Sequence, residues 1–194
     1  MSRENSQTRI NILKAALYLL EADQGSGVRM SDIAKQAGVS RQAVYLHFST
    51  RAQLLIATTQ YVDELKGMEK RLASSRSAQS GIERLNAYIE AWGNYIPEIY
   101  GIAKALLAMS DSDDAAAKAW QDRMQAMRQG CEAAINALKK DNALSADYSP
   151  KQATDILWTM LSVRNWEQLT IQCGWPQKRY IKNLKSLARN SLVQ

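Results

Sequence analysis

Histidine and phenylalanine occur once each in this 194-residue chain, cysteine twice and proline three times. Each scarcity closes off a class of chemistry. A lone histidine, His47, leaves no Ser/His/Asp arrangement to assemble and little imidazole for a metal centre. Cys131 and Cys173 have no metal-ligand spacing around them, and in a chain of this kind they read as buried or idle thiols of a reducing compartment. No glycine-rich loop is present to cradle a phosphate. No apolar run approaches the ~20 residues that span a bilayer, and Met1 to Arg9 lacks the apolar core of a signal peptide. The expectation is a cytoplasmic protein without metal, cofactor or membrane contact, and without a constellation for catalysis. Strand-like alternation and internal repeats are also missing, which leaves an all-α chain.

What is present is helix punctuation. Hydrophobic residues make up 46% of the chain and charged ones 23%, values of an ordinary globular protein, so wholesale disorder is excluded. A first helix is expected from about Ser6 to Asp23, with Ile12, Ala16, Leu19 and Leu20 inward and Gln24-Gly25-Ser26-Gly27 ending it. Thr50-Arg51-Ala52-Gln53 and Ser80-Gly81-Ile82-Glu83 read as capping boxes, the former opening a helix that reaches Leu72. Pro97 is expected to start a new helix, because proline suits a first turn and not an interior. The acids Asp111, Asp113 and Asp114 suit the positive end of the next helix, and Lys139 and Lys140 its negative end. Ser149-Pro150-Lys151-Gln152 combines an N-cap serine, an N1 proline and a capping-box glutamine, opening a helix that runs to Gly174. Pro176 opens the last. About nine helices result.

The densest information lies between Ser31 and Phe48. Ile33, Ala34 and Ala37 stripe one short helix, and Val44 and Phe48 stripe the next. Gly38 can take positive φ, so the chain turns there, and Ser40 can accept from the free N–H groups of the second helix. Two short helices crossing at a glycine turn form a helix-turn-helix, whose second helix fits the DNA major groove. The expected partner is double-stranded DNA. Charge agrees: residues 1–51 hold seven Lys/Arg against four Asp/Glu, and residues 52–194 eighteen against fifteen, so the head is more basic per residue. Arg41 and Gln42 open the second helix and suit bidentate contacts to guanine and adenine edges.

The same residues carry a family likeness. Ile12 to Leu20, then Met30-Ser31-Asp32-Ile33-Ala34, Ala37-Gly38-Val39-Ser40, Tyr45-Leu46-His47-Phe48 and Arg51-Ala52-Gln53-Leu54-Leu55 follow in an order and spacing that resembles the tetracycline-repressor (TetR) family of bacterial transcription regulators. The likeness covers about the first quarter of the chain. Gln42, Ala43 and Arg51 depart from the residues the family usually carries at those positions. The resemblance implies a DNA-binding head over 1–51 and a helical ligand-binding and dimerisation body over 52–194. It implies phosphate contacts from Tyr45 and His47, to which Ser31 at the start of its helix and Arg51 beside the next cap are added. It further implies a repressor released from a palindromic operator by a small-molecule effector. The alternative is control by a protein partner. All five tryptophans lie outside the head, and Tyr88, Trp92, Trp120 and Trp158 are the pocket-lining candidates, with plain core as the other reading. Glu90, Glu98 and Asp155 suit a cationic ligand if buried. The last two helices are apolar over wide arcs and suit pairing with a second copy.

Overall fold

The computed structural model describes residues 3–22 and 28–194, whose regular structure is helical. The order is α1 (Arg3–Ala22), α2 (Met30–Ala37), α3 (Arg41–His47), α4 (Arg51–Leu65), α5 (Met68–Arg76), α6 (Gly81–Met109), α7 (Asp114–Lys140), α8 (Pro150–Met160), α9 (Val163–Trp166), a π-helical turn (Glu167–Gln172) and α10 (Gln177–Leu192). Ten α-helical segments among these described residues thus stand where about nine are expected. Among the described residues the sole β feature is an isolated antiparallel bridge between Leu144 and Val193. No helix among them is long and apolar enough to cross a membrane. Gln24-Gly25-Ser26-Gly27, the expected end of the first helix, lies outside the described residues.

The chain divides into two compact units, one of residues up to Lys66 with Ile99–Met124, the other of Gly67–Glu98 with Gln125–Gln194. In the first unit α1 packs on α2, α3 and α4. Ile12, Leu13, Ala16, Leu20, Ile33, Val44, Leu54 and Leu55 are sealed from solvent there. Full burial of each Ile, Leu or Val is worth about 1.5–3 kcal/mol, so this small cluster fixes the short helices that could not stand alone. Arg123 adds an ion pair to Asp63 at 2.6 Å.

In the second unit Tyr88 and Trp92, one turn apart on α6, are buried with their polar tips satisfied by backbone. The Tyr88 hydroxyl donates to the Met127 carbonyl at 2.8 Å and Trp92 Nε1 donates to the Leu161 carbonyl at 2.9 Å. Gly130 lies so close under the Tyr88 ring that a Cβ would collide with it. Ser149 and Gln152 form the reciprocal capping box that the sequence indicates, with Pro150 at N1.

Four expectations require correction. Pro97 does not begin a helix; it lies inside α6. Proline has no N–H to give the Gly93 carbonyl four residues back, and Gln177 Nε2 supplies that bond instead, donating to Gly93 O at 2.8 Å. Gln177 Oε1 in turn accepts from Trp166 Nε1 at 2.9 Å. The helix expected to reach Leu72 ends at Leu65, because Gly67 at φ 66° starts a separate α5. The helix expected from Ser149 to Gly174 is interrupted after Met160, where the Ser162 side chain accepts from Asn165 N at 3.2 Å and caps α9. In the boxes at Thr50 and Ser80 the cap oxygens accept as expected, from Gln53 N and Glu83 N. The return arms bond one residue earlier, at Ser49 N and Gln79 N.

Candidate nucleic-acid interface

The turn between α2 and α3 is built from backbone bonds that only a left-handed residue permits. Gly38 sits at φ 68°, its N–H donates to Lys35 O at 3.2 Å, and Val39 N–H donates to Ala34 O at 3.0 Å. This paired closure ends α2 and turns the chain sharply. Ser40 then caps α3, its Oγ accepting from Ala43 N at 3.0 Å. Val44 and Phe48 anchor α3 in the core, and the Arg9 guanidinium lies 5.2 Å from the centre of the Phe48 ring. With that face pinned, the helical period turns Arg41, Gln42 and Tyr45 outward, and all three are exposed.

Arg41 and Tyr45, one turn apart, support each other. Arg41 Nη2 donates to the Tyr45 hydroxyl at 3.4 Å, and its guanidinium lies 5.5 Å from the Tyr45 ring centre. That hydrogen bond holds the Arg41 pKa above its ordinary value. His47 is half-buried with its ring 6.4 Å from that of Phe48. Ser31 is exposed on the first turn of α2. Ser31, Arg41, Tyr45 and Arg51 line one cleft of about 540 Å³ together with Arg29 and Asp113. Three arginines against one carboxylate give the cleft a positive field suited to a polyanion. Gln42 and His47 are not in its lining.

Arg51 occupies the cleft differently from Arg41. Its Nε donates to the Val28 carbonyl, its Nη1 is ion-paired with Asp113, and its Nη2 is enclosed without a partner. Asp113 Oδ1 meanwhile accepts from Ala115 N and Ala116 N at 3.0 and 3.1 Å, capping α7. Burial pushes the Asp113 pKa up, but the Arg51 hydrogen bond, the two amides and the Arg51 charge outweigh it and hold the group below its ordinary value.

Leu46 was not among the sequence candidates. It is 82% exposed on α3, an apolar side chain facing water beside Arg41 and Gln42. The signal for it is periodicity: Leu46 falls opposite the Val44 and Phe48 stripe, a place for a polar residue on an ordinary surface helix. An aliphatic side chain there suits the thymine methyl group.

The pocket-lining candidates are scattered. Tyr88 and Trp92 lie in the core of the second unit, Trp158 is half-buried in that unit, and Trp120 is half-buried in the first. Trp158 Nε1 is buried without a partner. Glu90, Glu98 and Asp155 are not buried acids; they pair with Lys185, Arg71 and Arg128. No group of three or more His, Cys, Asp or Glu placed to hold a metal ion occurs among the described residues.

Residues 12–58 match the family described as bacterial regulatory proteins, tetR family. The transcriptional regulator CymR of Pseudomonas putida is 27% identical over 176 residues, which is 89% of this chain and 82% of that protein. The nucleoid occlusion factor SlmA of Marinomonas sp. (strain MWYL1) is 26% identical over 113 residues, 58% of this chain, and the match spans only half of SlmA. A chain from Saccharomonospora viridis described as a transcriptional regulator, and solved in complex with choline, superposes with a TM-score of 0.74 at 18% identity. That superposition covers 97% of this chain and 99% of the other, and shows the shared fold.

Proposed function

This chain belongs to the TetR family of bacterial transcription regulators, DNA-binding proteins of the helix-turn-helix type, and from that premise we propose that it is a cytoplasmic, homodimeric repressor released from a palindromic operator by a small-molecule effector. The observation that carries the reading is the locked turn at Gly38, which presents Arg41, Gln42 and Tyr45 on one outward face of α3. Arg41 and Gln42 read base edges by bidentate bonds. Tyr45, His47 and Ser31 contact phosphates, which set register without reading sequence. Arg51 belongs to the same head, in a role argued below. Residues 1–51 act as the reading head and 52–194 as the sensing and pairing body.

Pairing through α8 and α10 is supported by Leu187, 51% exposed on α10. A two-fold site needs two heads, and an isologous apolar face supplies them. For the effector, Trp158 is the strongest of the four aromatic candidates, because its indole N–H is unsatisfied and suits an acceptor on a ligand. Tyr88 and Trp92 serve as apolar wall with their polar tips already bonded, and Trp120 as a further aromatic face.

Selection of duplex DNA from a random library by the purified protein tests the proposal. Enrichment of a two-fold-related sequence is expected, with log affinity falling against log salt by about 0.9 per phosphate neutralised. A lone asymmetric half-site would remove the dimer from the reading. Enrichment of nothing would move the search to a required ligand or protein partner.

A further inference from the structure

Arg51 is the first residue of α4, whose N-cap is Thr50. The positive end of a helix is the least favourable place for a cation. A side chain kept there needs an anion, and the chain provides Asp113, 62 positions away. The pair is substantially enclosed, with 22% of the Arg51 side chain and 21% of the Asp113 side chain exposed. Every nitrogen of the guanidinium is engaged or shut in, by the Val28 carbonyl, the Asp113 carboxylate and the surrounding protein. A phosphate could bind Arg51 only by displacing Asp113, which would strip a part-buried charge of its partner and disturb the carboxylate that caps α7.

We propose that Arg51 is a positioning residue and not a phosphate contact: with Asp113 and the Val28 carbonyl it clamps the starts of α2, α4 and α7 together and so fixes the pose in which α3 meets DNA. This rests on the DNA-binding reading above. Val28 is two residues from the first residue of α2, and α2 leads through the Gly38 turn into α3. One ion pair thus reaches the recognition helix through a single rigid turn. Phosphate contact in the cleft is left to Arg29, Ser31 and Tyr45, while Arg41 keeps its place at the base edges.

Two readouts test the clamp. The first compares the unaltered protein, Arg51→Gln, Asp113→Asn and the double variant on a duplex enriched by the unaltered protein, across a salt series. Each single change is expected to weaken binding roughly tenfold, with the double variant no weaker than the worse single, as for residues acting as one unit. The slope of log affinity against log salt stays that of the unaltered protein. If instead Arg51→Gln lowers the slope by about one phosphate while Asp113→Asn leaves affinity unchanged or tightens it, Arg51 is a phosphate contact and the clamp is wrong. Arg51→Lys keeps the charge but not the fork, and is expected to restore less than half of the lost binding energy; full rescue would also overturn the proposal.

The second readout needs no DNA. Amide hydrogen exchange over residues 28–48 is expected to quicken in both single variants of the full-length protein, while exchange in α10 stays unchanged. Unchanged exchange over 28–48 would overturn the clamp even if no duplex is ever enriched. Asp113→Asn retains a side-chain oxygen to cap α7, so it separates loss of the clamp from loss of the helix cap.

Discussion

A recognition helix presents few residues to DNA, and under the proposed function their roles separate by chemistry. Arg41→Ala is expected to relax preference at one position of each half-site, at a cost of about 1–3 kcal/mol of discrimination, measured by repeating the library selection. Tyr45→Ala should weaken binding to all sequences alike and leave the enriched sequence unchanged; a shifted consensus would make Tyr45 a reader. Away from the head, Cys131 is buried and Cys173 exposed. Burial pushes the Cys131 thiol up to about 12, from an ordinary value of 9.0. The raised folded value means the unfolded chain loses this proton first, so the contribution to stability is whole below pH 9.0 and is lost as pH rises toward about 12. A thiol reagent at neutral pH should titrate one cysteine in the native protein and both after denaturation. Gly38 and Ser40 were legible at this scale because their partners lie within five residues. The tie from Arg51 to Asp113 was not, since nothing local distinguishes a cation that meets phosphate from one that meets a distant carboxylate.

Among helices, the starts were easier to read than the stops. Ser149-Pro150-Lys151-Gln152 declares a helix through its own side chains, and the capping box is formed there in full. Pro97 misled because its cost depends on a partner far along the chain. The Gly93 carbonyl finds its donor in Gln177, whose other amide atom holds Trp166. Gln177→Leu should therefore take a donor from the Gly93 carbonyl and an acceptor from the Trp166 indole, destabilising the protein by about 1–3 kcal/mol in denaturant melts. In a Pro97→Ala background the helix recovers its own N–H, and the same substitution should cost less. Equal costs in the two backgrounds would show that Gln177 does not compensate for the proline. The breaks at Gly67 and Ser162 belong to the same class: apolar periodicity runs on through them, and a single residue's conformation or side-chain bond decides otherwise.

For the whole molecule, the all-helical class followed from the lack of strand alternation, and the head from a motif that is nearly self-contained. The rest of the chain left a fainter trace, because a buried aromatic such as Tyr88 or Trp92 serves the core whether or not a ligand enters beside it. If α8 and α10 pair two copies, Leu187→Glu should shift sedimentation toward the monomer and weaken binding to the two-fold site far more than to a half-site. The fork at Gln177 also bears on the order in which the molecule comes into being. The contacts of the helix-turn-helix close among residues near one another in the chain, so the head can fold while synthesis continues. The Gly93 carbonyl must wait for a side chain 84 residues later. During translation, then, the local contacts of the helix-turn-helix can close well before Gln177 reaches the Gly93 carbonyl.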